Sequence, residues 1–114
     1  MAKLSMFAAA AAAAMLLIAS SAAGAESGVA SVYPQSYKGR RTASGAPFNP
    51  GAMTCAHKRH PFGATLRVAI GEKSITCRVT DRGPFTRGRI IDLTPVAAHA
   101  LGFSGLARVS VERM

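Results

Sequence analysis

The sequence predicts an all-β fold, a barrel of many short strands with one small helix. Three observations carry this. Short runs alternate apolar and polar residues, Gly and Pro punctuate them at close intervals, and one clear helix start stands near the end. Residues 28–33 alternate small and apolar side chains and read as the first strand. Residues 34–46 are rich in Gly, Ser and Arg without period, and read as an exposed loop. Pro47-Phe48-Asn49-Pro50-Gly51 is turn chemistry, residues 53–57 form a short buried segment, and Pro61-Phe62-Gly63 turns again. Residues 65–70 alternate cleanly, and Gly71-Glu72-Lys73 makes a tight hairpin. Residues 74–80 come next with Ile75, Cys77 and Val79 on one face, until Asp81-Arg82-Gly83-Pro84-Phe85 breaks the ladder. Residues 89–93 form the next strand. Thr94 is then a hydroxyl N-cap, Pro95 the first helical residue and Gly102 the stop. Residues 107–112 close as a strand. A helix interrupting the strands, with long loops, favours a barrel over a sandwich.

The first 25 residues read as a secretory leader. Lys3 supplies the positive end, residues 7–18 are rich in alanine and leucine, and Ala23-Gly24-Ala25 is the small-x-small cleavage pattern. The apolar run is shorter than the ~20 residues a membrane span needs, and no cysteine follows it, so no stable membrane anchor is expected. Of 114 residues, removal of 25 leaves 89, one small domain at residues 26–114. Losing Lys3 leaves 13 bases against five acids, a net charge of +8. That balance favours anionic surfaces such as a cell wall or lipid headgroups. Export makes nucleic acid a poor candidate.

Cys55 and Cys77 are the two cysteines, and an exported protein places them where thiols oxidise. A disulfide between them closes a loop of 22 residues, worth roughly 3 kcal/mol in the chain-entropy model. No metal is expected, since two thiols without a matching histidine spacing fall short of zinc's four ligands.

The chemistry concentrates in two acids. Glu26 sits at the expected new N-terminus and reads as mobile, Glu72 lies in a hairpin tip, and Glu112 occupies the outward phase of the last strand. Asp81 and Asp92 remain, each at the end of an apolar run with an arginine nearby. Carboxyls so held suit a carbohydrate site, where an acid must be oriented before it moves a proton. The plainer alternatives are a turn cap for Asp81 and an ion-pair partner of Arg82 or Arg89 for Asp92. His99 in the helix reads as a surface or packing residue, and His60 in a turn reads as exposed. His57 follows Cys55, and a bridge to Cys77 would bring it toward Asp81 as an acid/base pair, or leave it a structural histidine.

The chain resembles the rare lipoprotein A family of bacterial cell-envelope proteins. The matching segments are Ala30-Ser31-Val32-Tyr33, Gly39-Arg40-Arg41-Thr42-Ala43-Ser44-Gly45, Thr54-Cys55-Ala56-His57-Lys58, Pro61-Phe62-Gly63-Ala64, Arg78 through Phe85, and Gly88 through Leu93. The resemblance runs from Gly28 to Glu112, nearly all of residues 26–114. The resemblance implies a six-stranded double-psi β-barrel. It also implies a lytic transglycosylase that cleaves peptidoglycan glycan strands poor in stem peptides, without a cofactor and as a monomer. By motif position it makes His57 and Asp81 essential, with Asp81 the general acid and later the base, His57 positioning it or sharing the proton, and Asp92 a second candidate acid. Arg41, Arg82 and Tyr33 would line the groove, and the products would carry 1,6-anhydro ends. The chain departs from the family pattern at Val32, where a tryptophan is usual, and at Pro34, where a glycine is usual. The competing expectation is a non-catalytic, expansin-like module that binds wall glycans.

Overall fold

A computed structural model describes residues 24–114, and the expected leader lies almost wholly outside the described residues. Six strands close a barrel: β1 (Glu26–Val32), β2 (Thr54–Ala56), β3 (Thr65–Ile70), β4 (Lys73–Asp81), β5 (Arg89–Leu93) and β6 (Ala107–Arg113). The helix α1 (Pro95–Leu101) connects β5 to β6, and a 3₁₀ turn covers Gln35–Tyr37. The order around the barrel is β1-β5-β2-β4-β3-β6. The β1–β5 and β2–β4 pairs are parallel, while β1–β6, β2–β5, β3–β4 and β3–β6 are antiparallel. Alternation fills the inside. Leu66, Val68, Cys77, Val79, Ile91, Leu93, Val109 and Val111 point into one core, which α1 caps with Ala97, Ala98 and Leu101. Cys55 and Cys77 are joined as a disulfide inside this core. Among the described residues no helix is long and apolar enough to cross a membrane.

Thr94 ends β5 and starts α1. Its hydroxyl donates to the Ala52 carbonyl at 2.6 Å and accepts from the Ala97 amide at 3.4 Å. Gly102 closes the helix in the left-handed region at φ 89°, which a side chain would disfavour.

Two bulges set the positions of the acids. Between Val29 and Ala30 the β1–β5 register skips Ile90, so Ser31 lies opposite Asp92. Between Cys55 and Ala56 the β2–β4 register skips Thr80, so Ala56 lies opposite Asp81. Each bulge sets two residues against one and re-aims those beyond it. Gly28 sits beside the first bulge, where an added Cβ would come within 2.6 Å of the Ile90 side chain. Several expected boundaries move by one or two residues, those of β4 and β1 among them. β4 runs on to include Asp81, expected at the start of the break, and β1 starts at Glu26 because Val111 of β6 pairs with it.

Candidate active site

β2 lies between β4 and β5, and its last residue, Ala56, pairs with Asp81 on one side and Asp92 on the other. Side chains at paired positions point to the same face of a sheet. The two aspartates therefore share a face, two strand spacings or about 9.5 Å apart across the sheet. Ser31 continues the row beyond Asp92.

The two carboxyls are held differently. Asp81 accepts from the Tyr33 hydroxyl at 2.5 Å, the Ala43 amide at 2.8 Å and the Arg82 amide at 2.9 Å. The expected turn cap is thus present in part, since one of these donors is the following residue. Asp92 takes one side-chain hydrogen bond, from the Ser31 hydroxyl, rather than an ion pair with Arg82 or Arg89. Burial pushes the Asp92 carboxyl above the usual carboxylate range and the charge of Asp81 adds to this, while Ser31 and Arg89 pull the other way. The Tyr33 phenol is also held well above its ordinary value, first by burial and then by its bond to Asp81.

A cavity of about 150 Å³ opens at Asp81, walled by Tyr33, Tyr37, Arg40, Arg41, Thr42 and Phe48. Much of this wall comes from the segment expected as an exposed loop. That segment is folded back on itself: the Gly39 amide donates to the Phe48 carbonyl, the Phe48 amide donates to the Arg40 carbonyl, and Arg41 is bridged to Pro47. The Ser44 amide donates to the Thr80 carbonyl at 3.1 Å, which fastens the segment to the end of β4. Phe48 is buried against Tyr33, ring centroids 4.7 Å apart. Arg41 donates to the Gly45 carbonyl at 2.9 Å, and its side chain is exposed on the cavity wall.

His57 lies close to Asp81 in the chain path, its amide donating to the Asp81 carbonyl at 3.2 Å. Its ring turns elsewhere. Nδ1 accepts from the Arg59 and His60 amides at 3.1 and 3.2 Å, and Nε2 lies 2.9 Å from Glu26 Oε1. The acid/base pairing of the His57 ring with Asp81 is therefore not what the side chains form. Glu26, expected to be mobile, is the histidine's partner and also meets Arg59 at 3.5 Å. The Arg82 guanidinium donates to the His57 and His60 carbonyls at 3.2 and 2.8 Å, while its backbone amide donates to Asp81. The guanidinium also stacks over Phe62 at 4.1 Å. His60 is half-buried, and burial, then the neighbouring His57, lowers its pKa. His99 is exposed, as expected. Sequence reading missed Ser31 and Glu26, whose partners lie 61 and 31 residues away.

Fold and site together define a double-psi β-barrel with two dissimilar carboxyls on one face. The chain belongs to the lytic transglycolase family, whose profile it matches over residues 25–112. It is similar to a probable endolytic peptidoglycan transglycosylase RlpA of Nostoc sp., 50% identical over 91 residues, 75% of this chain and 24% of the relative. It is also similar to the endolytic peptidoglycan transglycosylase RlpA of Pasteurella multocida, 41% identical over 92 residues, 77% of this chain and 31% of the relative. The chain thus spans about a quarter to a third of the length of these relatives. Among solved structures, a Streptomyces papain inhibitor superposes with a TM-score of 0.65 at 20% identity, over 81% of this chain and 96% of that one. A Clavibacter michiganensis expansin superposes at 0.63 with 21% identity, over 79% of this chain and 50% of that one. At these identities the two structures establish the fold alone.

Proposed function

We propose that this chain is an endolytic peptidoglycan lytic transglycosylase, exported by its leader and working in the cell envelope as a monomer. The observation that carries the reading is the pairing of Asp92, held above the usual carboxylate range, with Asp81, which accepts from three donors. Names and identities of the relatives support the substrate, glycan strands of peptidoglycan.

In this reading Asp92 is the general acid. It gives its proton to the oxygen joining N-acetylmuramic acid to N-acetylglucosamine, and the bond from that oxygen to the muramic C1 breaks. Positive charge develops at C1 and is stabilised by the fixed carboxylate of Asp81. The muramic 6-hydroxyl oxygen then attacks C1, and its proton returns to Asp92. A 1,6-anhydro end forms, no water is consumed, and no carboxylate nucleophile is needed, in contrast to retaining glycosidases. Tyr33 orients Asp81, Arg41 offers donors to the sugar, and Arg82 braces Asp81 from behind. His57 acts through the loop it organises.

The test is digestion of peptide-free glycan strands by the purified protein. Anhydro-ended fragments are expected, and both Asp92→Asn and Asp81→Asn should suppress them. General acid catalysis contributes about 10²–10⁴-fold, which sets the size of the expected loss. The second reading, a glycan-binding module, is favoured by the small cavity at Asp81, about 150 Å³, which leaves a sugar lying on the surface. Binding to strands with no anhydro product would establish that reading instead.

A further inference from the structure

The buried histidine beside the groove has a partner that assigns it a definite task. His57 is 2% exposed, and both of its ring nitrogens are engaged. Nδ1 receives two backbone amides, those of Arg59 and His60, so it is the acceptor nitrogen. The ring proton therefore sits on Nε2, where Glu26 Oε1 lies 2.9 Å away to accept it. Arg59 steadies the other carboxylate oxygen of Glu26. The residues bound to Nδ1 belong to the turn 57–60, and this turn presents the two carbonyls that receive the Arg82 guanidinium. Arg82 in turn donates its amide to Asp81.

We propose that Glu26 is a positioning residue for the site: it fixes the Nε2–H tautomer of His57, and through the 57–60 turn it holds Arg82 and Asp81 in place. The part concerning turnover rests on the transglycosylase reading, while the part concerning the tautomer does not. The link runs from the Glu26 carboxylate through the His57 ring and its turn to Arg82, and ends on the carboxylate of Asp81. Without an acceptor at Glu26, the Nε2–H would be buried and unpaired, and the ring would gain by turning or by exchanging its tautomer. The turn would then lose the two amide bonds that shape it, and Arg82 its seat.

The experiment uses protein expressed from its full sequence, with Glu26→Leu, which removes the acceptor, and Glu26→Gln, which keeps one. Long-range proton–nitrogen correlation spectra report the His57 tautomer, and amide shifts report Arg82 and Asp81. Wild type is expected to show a single Nε2–H form, retained in Glu26→Gln. In Glu26→Leu the single form should be lost, with shifts at Arg82 and Asp81. Turnover on peptide-free strands should fall about tenfold or more in kcat with KM little changed, as misplacement of a site predicts. Glu26→Gln should recover most of it. A folded Glu26→Leu with the wild-type tautomer and wild-type kcat overturns the proposal. If wild type makes no anhydro product, the enzymatic reading fails, and the tautomer and amide shifts still decide the positioning. If Glu26→Leu does not fold, the wild-type spectrum is decisive alone, because an Nδ1–H form of His57 overturns the assignment.

Discussion

Asp92 and Ser31 face each other across the β1–β5 pair, and burial and hydrogen bonding act on the carboxyl in opposite directions. Burial holds the Asp92 carboxyl protonated to a higher pH than an exposed aspartate, and the Ser31 hydroxyl bond works against that. A carboxyl whose pKa is higher in the folded state binds more protons there than in the unfolded chain. Stability then declines as pH rises from the unfolded value through the folded one. Ionised Asp92 is therefore a burden at neutral pH, and Asp92→Asn, which can still accept from Ser31, should melt higher than wild type at pH 7 while losing activity. Each kcal/mol relieved corresponds to about 4–8 °C in a domain of this size. Thermal melts at pH 7 and at low pH check this, since the gain should shrink where both forms are uncharged. Ser31→Ala removes the bond that lowers the Asp92 pKa. In the proposed mechanism Asp92 then stays protonated to higher pH, so the basic limb of the kcat/KM profile should move upward. An unmoved or downward limb would take the proton donor's role away from Asp92.

The elements were legible because their signals are local. Alternation marks 65–70 and 74–80, and Thr94, Pro95 and Gly102 mark the helix, whose ends fall where those residues stand. Residues 34–46 read as an exposed loop and most of them are exposed, but the folded path of the segment was not legible, because it is set by non-local partners: Ser44 on Thr80, Ala43 on Asp81, Phe48 on Tyr33. Glu26 was misjudged for the same reason, since its order is supplied by β6 and His57. The aspartates could be picked out by elimination among five acids, but their common face depends on bulges that skip Thr80 and Ile90, which no periodicity shows. Thr94 allows a test at this scale. It is fully buried, caps α1 and ties β5 to Ala52, so Thr94→Ala removes a cap and strands a carbonyl. A loss of about 1–2 kcal/mol is expected. Denaturant melts should show it, with Thr94→Ser restoring most of the difference.

At the scale of the whole molecule, a small core is reinforced by the Cys55–Cys77 bridge, which links β2 to β4 from within and braces the strand carrying Asp81. Outside, bases dominate. Among the described residues arginine meets a carboxylate at Arg59–Glu26 and Arg67–Glu112, while Lys38, Arg40, Arg41, Lys58 and Arg87 stand exposed. Lys38, Arg40 and Arg41 belong to the segment that walls the Asp81 cavity, so under the proposed function attraction of an anionic wall and presentation of its glycan would fall on the same side. Exposed charges of this kind act over the Debye length, which contracts from about 10 Å at 0.1 M salt to about 3 Å at 1 M. Co-sedimentation with purified, intact sacculi should therefore be strong at low salt and fall steeply toward 1 M. Replacing Lys38 and Arg40 with glutamate should weaken it at every low-salt point, and replacing Lys73 and Arg108, outside that segment, should weaken it less. The Arg40 guanidinium stacks on Tyr37 at 4.5 Å, so Arg40→Gln serves to separate lost charge from lost packing. Retention that ignores salt would mean that the wall is held by sugar contacts alone, with the basic surface serving solubility.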